Sequence, residues 1–168
     1  MCDICDGMTH DEFNERTMRG IEQYGWYITG VEDGPGLGWA YTIGLLEGFD
    51  HPELIVAGLG WPESGHLLNQ LGDRVAAGRL LYPGLADETI EGIDFGVVAP
   101  DQWKAQSTFA GWLGYYEWRG GMPADPFAVQ VFVSGAPATR LVELDDPGSD
   151  ISGMRTVNRP PRRSPRPR

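Results

Sequence analysis

A chain of 168 residues, 41% hydrophobic and 11% aromatic, is long enough to fold as one domain around a real core. Its net charge of −11 is unevenly placed. Arg155, Arg159, Arg162, Arg163, Arg166 and Arg168 stand together in a stretch without acids, leaving residues 1–153 with seven bases against 24 acids, formally −17. A body that acidic repels phosphate backbones and acidic membrane surfaces, which excludes nucleic acid as its natural partner and leaves only a weak contact through the basic tail.

Thr9 and Glu12 have the spacing of a capping box. Behind them Phe13, Thr17, Ile21 and Tyr24 recur at helical intervals, and Gly25 suits the stop. "WYITGVE" (26–32) and "WAYTIGL" (39–45) predict two strands of a hairpin around the turn "DGPGLG". "EGFDHPE" predicts a polar loop leading into a strand, "LIVAG" (54–58). Pro62 suits a first helical turn, and Leu67, Leu68, Leu71 and Val75 then mark one face of a helix. "IDFGVVA" (93–99) predicts a strand and 102–118 an aromatic helix that Gly111 and Gly114 weaken. "FAVQVFV" (127–133) predicts a strand of β-branched and aromatic residues, and "TRLVEL" a further one.

A helix, a hairpin and then mixed strands and helices predict a single α+β domain, with a mixed or antiparallel sheet and two to three packed helices. The expected boundaries are a cysteine-containing arm at 1–8, the domain at 9–146, and a disordered basic tail at 147–168. That tail is rich in proline and arginine, has no P-x-x-P, and carries the charge either to stay solvated or to fold back on the acidic body. No apolar run approaches the roughly 20 residues that span a bilayer. The acidic N-terminus also lacks the apolar stretch of a signal peptide, so the expected compartment is the cytoplasm.

Both cysteines, Cys2 and Cys5, form a C-x-x-C at the start of the chain. One turn of that spacing brings two sulfurs to one tetrahedral zinc. His10 is the nearest further ligand, and His51 or His66 is the candidate fourth. The redox alternative needs a thiol at a helix N-terminus beneath a strand, but none precedes the pair, and Asp3, Asp6 and Asp11 would raise a thiol pKa. Zinc, a disulfide, or no special role all remain open on spacing alone.

The second polar group is Glu47, Asp50, His51 and Glu53. A histidine among carboxylates can be tuned into a general base, so His51, Glu47 and Glu53 are the catalytic candidates; the bland alternative is a solvated loop. Tyr41 and Thr42 face opposite sides of their strand, so at most one joins this group. Gln130 interrupts an apolar strand. It fixes a ligand or braces the sheet by hydrogen bonds if buried, or else lies on a wetter face. Trp103, Phe109, Trp112, Tyr115, Tyr116 and Trp118 have the spacings of core residues. The chain has no G-x-S-x-G, H-E-x-x-H or phosphate-binding loop sequence.

Together "CDICDG", a helix ending in "YGW", "WAYTIGL", "HPELIVAGL" and "GYYEW...FAVQVFV" resemble a domain-of-unknown-function family of small actinobacterial and phage proteins, over about residues 1–133. The resemblance implies a domain and no activity. Beyond Val133 the chain lacks that family's usual Trp-Pro-Asp turn and its "dG-x-x-P-W" ending. The aromatic-Thr-Ile-Gly-Leu strand is also similar to one in Suppressor-of-fused-like proteins, some of which are immunity proteins that bind toxins. Two functions follow as expectations. One is a non-enzymatic module that binds a protein partner or regulates, with or without a Cys/His zinc site. The other is a metal-dependent enzyme built on the C-x-x-C and a histidine, with Glu47 or Glu53 as base.

Overall fold

The structure is a computed structural model and describes residues 7–32, 38–84, 90–98, 109–121 and 128–136. Helix α1 (His10–Tyr24) starts at the expected capping box. The Glu12 amide donates to Thr9 Oγ1 (3.3 Å), and the Thr9 amide donates to Glu12 Oε2 (2.9 Å). It stops at Gly25, whose φ of 96° is a left-handed conformation that suits glycine. Strands β1 (Tyr27–Glu32) and β2 (Gly38–Ile43) pair antiparallel from Tyr27↔Ile43 to Glu32↔Gly38, which is the expected hairpin.

Then the chain departs from expectation. The stretch read as a polar loop holds a short helix, α2 (Leu45–Phe49), and the strand after it, β3 (Glu53–Ala57), begins one residue early, on Glu53. His51 and Glu53 are 3% and 0% exposed. A solvated loop is therefore the wrong picture for them, because the apolar residues on either side carry both inward. Helix α3 (Trp61–Ala76) follows with Pro62 in its first turn, then β4 (Ile93–Val98), α4 (Ala110–Trp118) and β5 (Ala128–Val133).

The sheet order is β1-β2-β3-β5-β4. The β3–β5 pair is parallel and the other pairs are antiparallel, so the sheet is mixed. Side chains alternate between its faces. Tyr41, Ile43, Ile55 and Ala128 pack with Phe13 of α1 and with Phe109, Trp112, Tyr115 and Tyr116 at α4. Ala40, Leu54, Val56, Val129 and Val131 pack on the other side with Leu68, Leu71 and Val75 of α3. Helices thus cover both faces of one sheet, giving a single α+β domain with four helices among the described residues.

Gln130 lies between Ile55 of β3 and Gly96 of β4, and it is 1% exposed. The wetter-face reading fails because α1 and α4 cover that side. The expected strand "TRLVEL", residues 102–108 of the aromatic helix, and the tail all lie outside the described residues, as do Cys2 and Cys5. Among the described residues no helix is long and apolar enough to cross a membrane.

Candidate functional site

The sheet has two ends. At one, β2 finishes, α2 sits, and β3 begins; at the other, β3 runs out into α3. Chemistry gathers at the α2 end. Gly44 turns the chain there with φ 111°, and a Cβ on it would stand 2.8 Å from Cγ1 of Ile21. Only glycine fits both demands. The turn leaves the first amides of α2 without helical acceptors, and Gly44 has no side chain to cap them.

Glu53 supplies the cap from the next strand. Its Oε1 accepts the amides of Gly44 (2.7 Å) and Leu46 (3.2 Å) and the Tyr116 hydroxyl (3.4 Å). Its Oε2 accepts the Thr42 hydroxyl at 2.6 Å, and Thr42 Oγ1 in turn accepts the Leu54 amide at 2.9 Å. Full burial raises the Glu53 pKa above its ordinary value, and the hydroxyl and amide donors oppose that shift. Burial also pushes the Tyr116 phenol up, with the Glu53 and Glu47 charges acting in the same direction.

His51 sits two residues away but joins none of this. Its Nε2 accepts the Leu81 amide (3.0 Å), so Nδ1 carries the proton and donates to Pro52 O (2.7 Å). Burial lowers its pKa, because a charge there would be desolvated. The ring is therefore neutral and ties the segment after α2 to the segment after α3.

Glu47 points outward. Arg119 Nη2 donates to its Oε1 at 2.7 Å and the Tyr115 hydroxyl to its Oε2 at 3.3 Å, which joins α2 to the end of α4. Burial chiefly, and then the Glu47 charge, push Tyr115 up to about 12. Beside this group Trp118 is 41% exposed, and its ring lies 6.3 Å from that of Tyr115. Asp50 closes α2 with φ 57°, its amide returning to Leu45 O and Leu46 O.

On the face that α4 covers, the Tyr41 hydroxyl accepts the Gly111 amide at 3.1 Å, which anchors the start of α4. Burial pushes that phenol up to about 12. As expected, Tyr41 and Thr42 separate, and only Thr42 joins the Glu53 group.

The zinc candidates do not meet among the described residues. His10 is the exposed first residue of α1, and His66 is exposed on α3, where Gln70 Nε2 donates to its Nε2 (2.9 Å). His51 has both ring nitrogens on backbone. Among the described residues no three His, Cys, Asp or Glu side chains lie close enough to share a metal.

Sequence reasoning reached Glu53, His51 and Glu47 but missed Gly44, Tyr116 and Arg119 as their partners. A signal for Glu53 was present: a carboxylate opening a strand as apolar as "ELIVA" must find donors inside the fold. The quoted strings "WAYTIGL", "HPEL" and "GYYEW" thus converge, through Thr42, Gly44, Glu53 and Tyr116, on one hydrogen-bonded brace. No curated protein and no solved structure matches the chain. Residues 20–133, which run from the last turn of α1 to the last residue of β5, match a family described as a domain of unknown function (DUF4262), and the chain belongs to that family.

Proposed function

We propose that this protein is a non-enzymatic binding module that holds a protein partner through the outer surface of the α2 end. One observation carries this reading: the polar atoms of His51 and the carboxylate of Glu53, the groups best suited to proton transfer, are buried and bonded to the chain itself. They fix the shape of the sheet's end and offer a substrate nothing. What faces outward is half-exposed Trp118, whose ring rests near that of buried Tyr115, with Arg119 held in place by Glu47. Tryptophan and arginine are among the residues that most often dominate a protein interface. The similarity of the "YTIGL" strand to Suppressor-of-fused-like immunity proteins supports a protein partner.

The test uses the full chain, captured with its cross-linked neighbours from the cell that makes it, beside a Trp118→Ala/Arg119→Ala variant of unchanged thermal stability. One protein recovered in stoichiometric amount by the wild type and lost by the variant supports the reading. Recovery of the same proteins by both, or of none, overturns it. Zinc on Cys2, Cys5 and His10 is a separate question, settled by elemental analysis of the wild type and a Cys2→Ser/Cys5→Ser variant. Near-stoichiometric zinc lost in the variant establishes the site, and a metal-free wild type removes it.

A further inference from the structure

Tyr24, Trp61 and Trp118 are the large hydrophobic residues that stand exposed among the described residues. Tyr24 and Trp118 flank the α2 end. Trp61 stands apart at the other end, as the first residue of α3, and is 47% exposed. Its ring is seated on Gly30 of β1, where a Cβ would collide with it, so one face is fixed against backbone while the other meets water. The chain leaves the described domain at this same end, through Val133 of β5 and on to Ala136. Exposed Glu63 stands beside it in the first turn of α3, while Glu91 and Asp94, where β4 begins, are exposed at the same end of the sheet but on its far edge.

The stretch that leaves from this end is the most basic part of the protein. Residues 154–168 hold six arginines, four prolines and no acid, joined to a body of formal charge −17. We propose that residues 154–168 dock on Trp61. A proline-rich segment in extended polyproline form presents flat rings that pack on tryptophan. An arginine guanidinium stacks on the same indole face, and Glu63 and the acidic body as a whole complement the remaining charge. Reach is ample: the 18 residues from Ala136 to Met154 can span up to about 60 Å, whereas β1 lies three strand spacings from β5, about 14 Å. The tether replaces free encounter with an effective concentration of order millimolar, so a contact too weak to form between separate molecules forms within one. This contact lies at the end of the sheet opposite the proposed partner surface, so either can fail without the other.

The test is made on the full chain by following tryptophan indole N–H signals in a ¹H–¹⁵N spectrum, with Trp61 identified by Trp61→Phe. A second protein carries serine in place of the six tail arginines. The expected result is a Trp61 signal displaced between the two proteins by more than its line width, with Trp118 unmoved. In the wild type it should drift toward the variant's position as salt rises from low concentration to about 0.5 M. A Trp61 signal at the same position in both proteins overturns the proposal. So does a displacement that grows with protein concentration, which would make the occupant a second copy.

Discussion

The Thr42 hydroxyl donates to Glu53 Oε2 at 2.6 Å, and Thr42 Oγ1 itself accepts the Leu54 amide at 2.9 Å. Thr42 is thereby oriented as a donor to a carboxylate that two amides and a phenol already approach from its other side. The arrangement wants an acceptor and tolerates no gap.

Replacing Glu53 should separate charge from shape. Glu53→Ala leaves the Gly44 and Leu46 amides and the Thr42 hydroxyl buried without an acceptor, at a cost of about 3 kcal/mol or more by urea denaturation. Glu53→Gln keeps one carbonyl oxygen for the amides and should cost about 1 kcal/mol. The raised pKa fixes the sign of the pH dependence. Between 4.5 and the raised folded value the native state binds more protons than the unfolded chain, so the contribution is complete below 4.5 and declines as pH rises through the folded value. The deficit of Glu53→Gln should therefore shrink as pH rises.

His51 has the opposite sign. Its folded pKa lies below the ordinary 6.5, so its contribution is complete above that value and is lost as pH falls toward the folded one. Because Glu53 works in the opposite direction, the quantity to follow is the difference between wild type and variant. His51→Gln should be less stable than the wild type at pH 7 by about 1–2 kcal/mol, through loss of the Leu81 bond, and that deficit should shrink on going from pH 7 to pH 5.5.

Much of the fold could be read in the chain because its signals were local. The Thr9–Glu12 cap, Gly25 as a stop, and the apolar periods of α3 and β5 each need only neighbouring residues. The α2 end was hidden because its logic is long-range. Nothing near Gly44 announces that its amide is capped by Glu53, or that Tyr116 approaches from an element more than sixty positions on. His51 misled for the same reason: its composition matched a base, while its partner, Leu81, lies thirty residues away.

Two glycines should differ in what a methyl group costs. At Gly72 a Cβ would stand 2.5 Å from Cε2 of Trp26, a buried ring whose Nε1 donates to Asn69 Oδ1 at 3.2 Å and has nowhere to move. Gly72→Ala should cost about 1–3 kcal/mol in chemical denaturation. At Gly30 the obstacle is the half-exposed Trp61, which can swing into water, so Gly30→Ala should cost less while making that tryptophan easier to quench.

The two hydrogen bonds at α4 should also separate by burial. Tyr41→Phe removes the acceptor of a buried Gly111 amide and should cost about 1–2 kcal/mol. Glu47→Ala breaks a pair whose side chains are 43% and 37% exposed for Arg119 and Glu47 respectively, and should cost less than about 1 kcal/mol. Urea midpoints of the two variants test the contrast.

The position of β5 has a consequence for how the protein comes to be. It pairs with β3 on one side and β4 on the other, yet among the described residues it is the last strand to be synthesised. Until Val133 has left the ribosome, β3 and β4 have no strand between them, and each presents an open edge able to pair with the wrong chain. The β1–β2 hairpin closes locally and early, whereas the parallel β3–β5 register joins residues 75 positions apart (Glu53↔Ala128), which makes it the natural slow step of folding.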